Sequence, residues 1–377
     1  MRPASELERR RLGETFATLC AIASPSGEER LIADRVAGEL RALGLEVDED
    51  DAGESTGGQA GNLFVRIPGR SERTVLLCAH LDTVPHAGPV EPVLVDGGWE
   101  SAGDTILGAD NKAAVAMLLE VARRIAIEGS PVGVEMLFTV SEERALAGAR
   151  AFDSSRLRSD LGFVFDHATP IGDVIVASPT YVRWEAALRG SAAHAGIRPE
   201  DGRSAVLAAA RAVARMPLGR IDEETTANVA SIGGGVAGTN IVPERCRLIG
   251  EVRSLEPERV TAVLDEIVEA LHDGAAAPEC ECDVDVTVER LFDGYRLDAA
   301  APGVLVAEAA LRACGYEPRQ VASGGGSDAN ALIAAGLSCV NLANGTQFNH
   351  EHRERVSVAA LEGMLDVTLA LLGEFTD

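Results

Sequence analysis

Apolar positions recur at helical spacing through 6–23 and again through 27–43, so two amphipathic helices are expected there. Ser26 is followed three residues later by Glu29, the form of a capping box, and Ser26 is expected to start the second helix. Short apolar runs then predict strands over 62–67 and 74–79, a helix over 110–125, and strands over 134–140 and 161–166. Continuously apolar strands alternating with helices imply an α/β layer structure with a mixed, mostly parallel sheet flanked by helices. Near residue 175 the pattern changes. Residues 180–189 alternate as a half-exposed strand does, followed by a helix over 204–216, strands over 228–232 and 240–253, a helix over 256–273 and a strand over 282–288. That β-α-β-β-α-β order predicts a ferredoxin-like α+β sandwich with an antiparallel sheet. From 297 the first pattern returns, with helices over 303–314, 328–335 and 358–372 and a strand over 339–342. The economical organisation is one α/β domain, 1–178 and 297–377, interrupted by a smaller domain, 179–296.

Composition narrows the partners. The chain has 377 residues, of which 46% are hydrophobic, ample for a large core. With 59 acidic against 34 basic residues it carries −25, which opposes nucleic acid and anionic membranes. No apolar run approaches a bilayer's span. The first twelve residues are too charged for a signal peptide, so a cytoplasmic protein is expected. Seven irregularly spaced cysteines form no Cys-x-x-Cys pair and suit a reducing compartment. Lys112 is the only lysine, which draws attention to its surroundings.

Those surroundings carry the chemistry. His80-Leu81-Asp82 follows an apolar strand directly, at the end where α/β sheets bind ligands. The two side chains share a side if the chain is extended, so Asp82 can accept from the imidazole of a metal-binding His80 or lie against a catalytic base. Asp110 opens a helix beside Asn111 and Lys112. It is either a cap or a carboxylate placed to bridge two cations. Glu142-Glu143 ends another buried strand, where a cation can bind one carboxylate and leave the other as a base. Asp166 ends a fourth apolar run, and His350 and His352 follow the strand at 339–342. Two imidazoles and three carboxylates, with Asp110 shared, give each of two divalent ions one histidine and two carboxylates. Zinc suits that donor set best, and cobalt or manganese also fits.

With these motifs in order, the sequence resembles the zinc metallopeptidase superfamily of peptidase T, carboxypeptidase G and the aminoacylases, most nearly its peptidase T-like branch. Gly325-Gly326-Ser327-Asp328-Ala329-Asn330 and Thr239-Asn240-Ile241-Val242-Pro243, leading to Glu251-Val252-Arg253-Ser254, belong to the same resemblance, which spans nearly the whole chain. It implies a zinc exopeptidase-like catalytic domain with an inserted lid and dimerisation domain. It implies one metal on His80, Asp110 and Asp166 and another on Asp110, Glu143 and His350. The aromatic-Asn-His run through His350 favours that residue over His352. Glu142 becomes the general base and Asp82 the residue that orients His80, with a cis peptide between Asp110 and Asn111. His194, in a small-residue loop, is implied to stabilise the oxyanion. Asn240 and Arg253 are implied to contact a substrate carboxylate, although a structural salt bridge also accounts for Arg253. Gly325 lies in a tight loop that lets substrate backbone approach. The glycine that relatives place near 144–145 is absent and Gly148 comes later, so a different turn is expected there. Residues 232–235 are expected to be a flexible glycine loop and not a dinucleotide site.

The activity implied is release of the N-terminal residue of tripeptides by a homodimer acting on short peptides. An N-acyl amino acid deacylase uses the same machinery and is the alternative. A two-metal phosphoesterase fits poorly with so acidic and lysine-poor a chain. A non-catalytic metal-binding scaffold would need Glu143 but not Glu142.

Overall fold

The computed structural model describes residues 1–375. The chain divides into two compact units. One comprises Met1–Ala177, Leu297–Ser323 and the residues from Ser327 onward; the other comprises Ser178–Arg296 and Gly324–Gly326.

The first unit is built on a mixed sheet with the strand order Val47–Glu49, Leu63–Ile67, Gly133–Thr139, Thr74–His80, Leu161–Val164, Ser338–Leu342, Asp173–Ser178, and with Arg319–Ala322 beside the last. The four strands from Gly133–Thr139 to Ser338–Leu342 run parallel, as the continuously apolar runs predict. Alternation along the strand Thr74–His80 sorts its side chains. Val75, Leu77 and Ala79 enter the main core with the helices Glu6–Cys20, Ala109–Glu128 and Val358–Gly373. Cys78 points to the other face, where its Sγ lies 3.8 Å from Asp328 at the start of the helix Asp328–Ala334. No described helix is long and apolar enough to cross a membrane.

The second unit is an antiparallel sheet in the order Gly219–Arg220, Thr225–Gly234, Arg245–Ser254, Thr180–Arg189, Asp283–Phe292. One face is covered by the helices Ala205–Val213 and Pro257–Ala276. They pack on Val182, Trp184, Ala186 and Leu188, the buried half of the alternating strand Thr180–Arg189.

Several local expectations are corrected. Ser26 caps no helix: the helix is Arg30–Ala42, Gly27 sits at φ +92°, and the Ser26 hydroxyl donates to the Asp82 carboxylate at 2.6 Å. A charge-assisted bond to a buried carboxylate outcompetes a neutral local cap. Capping boxes form instead at Ser5 with Glu8 and at Ser327 with Asn330. The strand expected over 240–253 is Arg245–Ser254, since Pro243 has no N–H for a ladder, and Asn240 falls in the preceding loop. Gly233 and Gly234 close the strand Thr225–Gly234 and are no loop. A Cβ on Gly234 would come 2.6 Å from the Arg245 carbonyl across the pair. A four-stranded sheet of Thr346–Gln347, Arg355–Ser357, Gly98–Ser101 and Pro92–Val95 was not expected, because it consists of two short hairpins joined by the pairing of Arg355–Ser357 with Gly98–Ser101 across about 250 residues of chain.

Candidate metal centre

Each candidate ligand stands where an element ends. His80 is the last residue of the strand Thr74–His80 and is buried. Its Nδ1 lies 3.0 Å from the Asp82 main-chain carbonyl. That contact makes Nδ1 the donor and turns Nε2 toward Asp110 Oδ1 at 3.4 Å and Asp166 Oδ1 at 3.8 Å. The Asp82 carboxylate is farther from the ring, 3.4 Å from Nδ1. It mainly serves the next strand end, accepting the N–H of Glu142 at 2.9 Å and of Glu143 at 3.1 Å. Asp82 therefore orients His80 chiefly through its backbone.

Asp110 lies in the distorted first turn of the helix Ala109–Glu128, with ψ 104° and a cis peptide to Asn111. The turn is held by Glu354, whose buried carboxylate accepts the N–H of Leu107 at 2.9 Å, Gly108 at 2.7 Å and Asp110 at 2.9 Å. Asp166 follows Leu161–Val164. Asn341 of the adjacent strand grips its backbone both ways, accepting the Asp166 N–H at 3.0 Å and donating to the Asp166 carbonyl at 2.8 Å. Lys112 is buried and donates from Nζ to the Ile22 carbonyl at 2.7 Å. Burial lowers it to about 8.

After the strand Gly133–Thr139 the chain turns through Ser141 at φ +53°, Ala145 at φ +59° and Leu146 at φ +62°. Ala145 and Leu146 thus take the left-handed conformations that a glycine would occupy without cost. Gly148 is required for close packing, since a Cβ there would lie 2.0 Å from the Val140 carbonyl. His350, at φ +68°, places Nε2 2.8 Å from Glu143 Oε1 and 3.3 Å from Asp110 Oδ2. His352 turns away to an exposed contact with Asp104 at 2.6 Å.

Ligand atoms consequently converge in three overlapping groups: His80 with Asp110 and Asp166, His80 with Glu142 and Glu143, and Asp110 with Glu143 and His350. Burial and the neighbouring carboxylates raise Glu142 and Asp166 well above the usual carboxylate range. Burial also raises Glu143, against its hydrogen bond from His350. Hydrogen bonds to Asp110 and Glu143 lift His350 to about 10. Burial works against ionisation of Asp110, but His350 and His80 outweigh it and hold this carboxyl well below its ordinary value. Asp110 Oδ1 is buried and makes no hydrogen bond. So many carboxylates around one orphaned oxygen demand positive charge, and these donors fit two divalent cations sharing Asp110.

Three residues of this region had no local signal as supports. Glu354 and Asn341 act through backbone groups far along the chain. Asp328, quoted only within the glycine-rich motif, accepts from Thr139 Oγ1 at 2.5 Å and Cys78 Sγ at 3.8 Å, bracing the ends of two ligand-bearing strands.

The second unit holds the other candidates. His194 is exposed, its Nδ1 accepting the Gly196 N–H at 3.2 Å, which places the neutral ring's proton on Nε2. The segment through His194 pairs with that through Asn240: the Asn240 carbonyl accepts the Ala195 N–H at 2.9 Å, and His194 bridges to Ile241. Arg253 is forked onto Glu251 at 3.1 and 3.2 Å and lies 4.0 Å over the Tyr181 ring. The Gly325 carbonyl accepts the Ser178 hydroxyl at 2.9 Å. At its neighbour Gly326 a Cβ would lie 2.3 Å from the Phe292 ring, so a side chain is excluded there.

Residues 76–374 match peptidase family M20/M25/M40. An uncharacterised Bacillus subtilis protein, YqjE, is 36% identical over 370 residues, covering 98% of this chain and 99% of its own. The crystal structure of aminopeptidase PepT from Bacillus cereus superposes with a TM-score of 0.87 at 36% identity, over 98% of this chain and 99% of that one. A tripeptidase from Staphylococcus aureus gives a TM-score of 0.90 at 34% identity, over 97% of both chains.

Proposed function

The chain belongs to peptidase family M20/M25/M40 and is a metallopeptidase, and on that premise we propose that it releases the N-terminal residue of tripeptides at a centre of two divalent cations, with zinc the best match to the donors. The observation that carries this reading is the convergence of His80, Asp110, Asp166, Glu143 and His350 around one shared carboxylate with Glu142 beside them. The tripeptide substrate is supported by the aminopeptidase and tripeptidase likeness over nearly the whole chain.

In this reading His80, Asp110 and Asp166 hold one cation, and Asp110, Glu143 and His350 the other. Bound there, the cations would supply Lewis-acid polarisation of the scissile carbonyl and acidity to the attacking water. Glu142, with its backbone N–H clamped by Asp82, takes the proton from that water on a carboxylate oxygen. Burial raises the affinity of this carboxylate for a proton, which suits a base that later returns it to the departing amine. His194, donating from Nε2, is the oxyanion donor in the proposal. Asn240, Arg253 and Gly325 are its substrate-binding residues. Since Arg253 is already paired with Glu251, a substrate carboxylate would compete with Glu251 for its fork. The protein is proposed to act as a homodimer, which light scattering measures directly.

Mass-spectrometric product analysis on tripeptides, dipeptides and N-acyl amino acids, with zinc and with chelator, tests the reading. Chelator-sensitive loss of one N-terminal residue from tripeptides is the expected result. Cleavage of acylated substrates alone would move the protein to deacylation. Replacing Glu142→Ala should lower turnover by about 10²–10⁴-fold while metal content stays at the wild-type value. Full activity in that variant would remove Glu142 from the mechanism.

A further inference from the structure

The 26–29 segment, with its displaced capping motif, packs directly behind the centre. Glu29 is fully buried. Its Oε1 accepts three donors: the Gly27 N–H at 2.7 Å, the Ser141 N–H at 3.1 Å and the Ser141 hydroxyl at 3.0 Å. Ser26 donates at 2.6 Å to Asp82 Oδ2, and the two Asp82 oxygens accept the N–H groups of Glu142 and Glu143. Three consecutive backbone N–H groups, from Ser141 to Glu143, therefore end on two buried carboxylates supplied from outside the turn. Ser141 stands at φ +53°, a conformation that a serine keeps only under external restraint. The segment is itself fixed, since the Ser26 N–H donates to the Thr83 carbonyl at 3.1 Å and the Gly27 carbonyl accepts the Gln59 N–H at 3.0 Å.

We propose that Ser26 and Glu29 are positioning residues that set where the Ser141–Glu143 turn presents its two carboxylates, Glu29 by clamping Ser141 and Ser26 by fixing Asp82. The inference rests on the reading of Glu142 as base and Glu143 as metal ligand. Loss of either clamp lets the turn relax from its left-handed start. Misplacement by about 1 Å costs on the order of 10²-fold in rate, and losing a support behind a metal ligand costs about 10–100-fold in affinity.

The test compares Glu29→Ala, Glu29→Gln and Ser26→Ala with Glu28→Ala, an exposed neighbour, in the full-length protein. Zinc alone is titrated against a chromophoric chelator, and kcat and KM are measured on tripeptide. Glu29→Ala and Ser26→Ala should weaken one of the two zinc ions about 10-fold or more and leave the other unchanged. Their kcat should fall about 10–100-fold with KM within about twofold. Glu29→Gln keeps an acceptor oxygen toward Ser141 and should recover most of both, and Glu28→Ala should match wild type. Wild-type zinc binding and kcat in Glu29→Ala would overturn the proposal. So would equal weakening of both zinc ions together with loss of the cooperative thermal transition, since that marks a purely structural role. If Glu29→Ala does not fold, Ser26→Ala decides on the same criteria. The zinc titration needs no substrate. A wild-type enzyme inactive on tripeptides would refute the proposed function while the titration still judged the clamp.

Discussion

Asp110 faces three ways at once. Oδ1 is turned to His80, Oδ2 to His350, and the backbone N–H to Glu354. The outer support is the more fragile, because Glu354 satisfies three buried N–H groups with two oxygens. Glu354→Gln sets an amide NH2 against at least one of those donors. A buried donor left unpaired costs about 1–3 kcal/mol. The variant should melt at a lower temperature and bind zinc about 10–100-fold more weakly, measured by scanning calorimetry and chelator competition. An unchanged melting temperature would show that the 107–110 turn holds itself. His350→Ala removes a half-exposed ring at one of the two proposed cation positions, so zinc content after dialysis should fall from two equivalents to one. If His352→Ala lost the ion instead, the ligand would be reassigned.

Among the elements, the helices Glu6–Cys20 and Ala109–Glu128 are joined by two ion pairs, Arg11 with Glu120 and Arg124 with Glu8, of which the second is the more buried. Glu8 closes the capping box with Ser5 and also binds Arg124 on the second helix, with Nη2 at 2.6 Å from Oε2. Burial opposes its ionisation, but the hydrogen bonds from Arg124 and Ser5 prevail and lower it from 4.5 to about 2. A depressed folded-state value stabilises fully above the unfolded value, and the contribution is lost as pH falls from 4.5 toward 2. The shift corresponds to about 3 kcal/mol at neutral pH. Melting temperatures of wild type and Glu8→Gln should therefore lie far apart at pH 6 and converge as the pH is lowered through that window. Parallel curves would show that Glu8 is not the linked group. At this scale periodicity located most helices and strands of the sequence, whereas Ser26 shows its limit. The S-x-x-E pattern is local, but a carboxylate 56 residues away took the hydroxyl.

For the molecule as a whole, the centre concentrates protons as well as ligands. His350 held near 10, with Glu142 and Asp166 also raised, means that the metal-free cluster binds protons at neutral pH. Cations must displace them, so zinc affinity should fall as pH falls. Calorimetric zinc titrations in two buffers of different ionisation enthalpy should reveal proton release on binding. Equal heats in both buffers would mean that the ligands are already unprotonated. Because cations bind the folded chain, chelator should lower the melting temperature.

Sequence alone determined what depends on neighbours along the chain. The alternation of apolar runs made a mostly parallel sheet legible, and the carboxyl ends of those runs placed His80, Glu142, Glu143 and Asp166 at strand ends, because strand direction and side-chain period are local properties. Tertiary structure decided what depends on meetings between distant segments. It put His350, and not His352, beside Asp110, built a small sheet from residues 92–101 and 346–357, and gave Glu354 three donors some 245 residues away. It also redirected Ser26 and Glu29 from a helix start to the turn behind Glu142. A buried carboxylate or hydroxyl takes the strongest partner that the fold brings within about 3 Å, and no spacing along the chain records which partner that is.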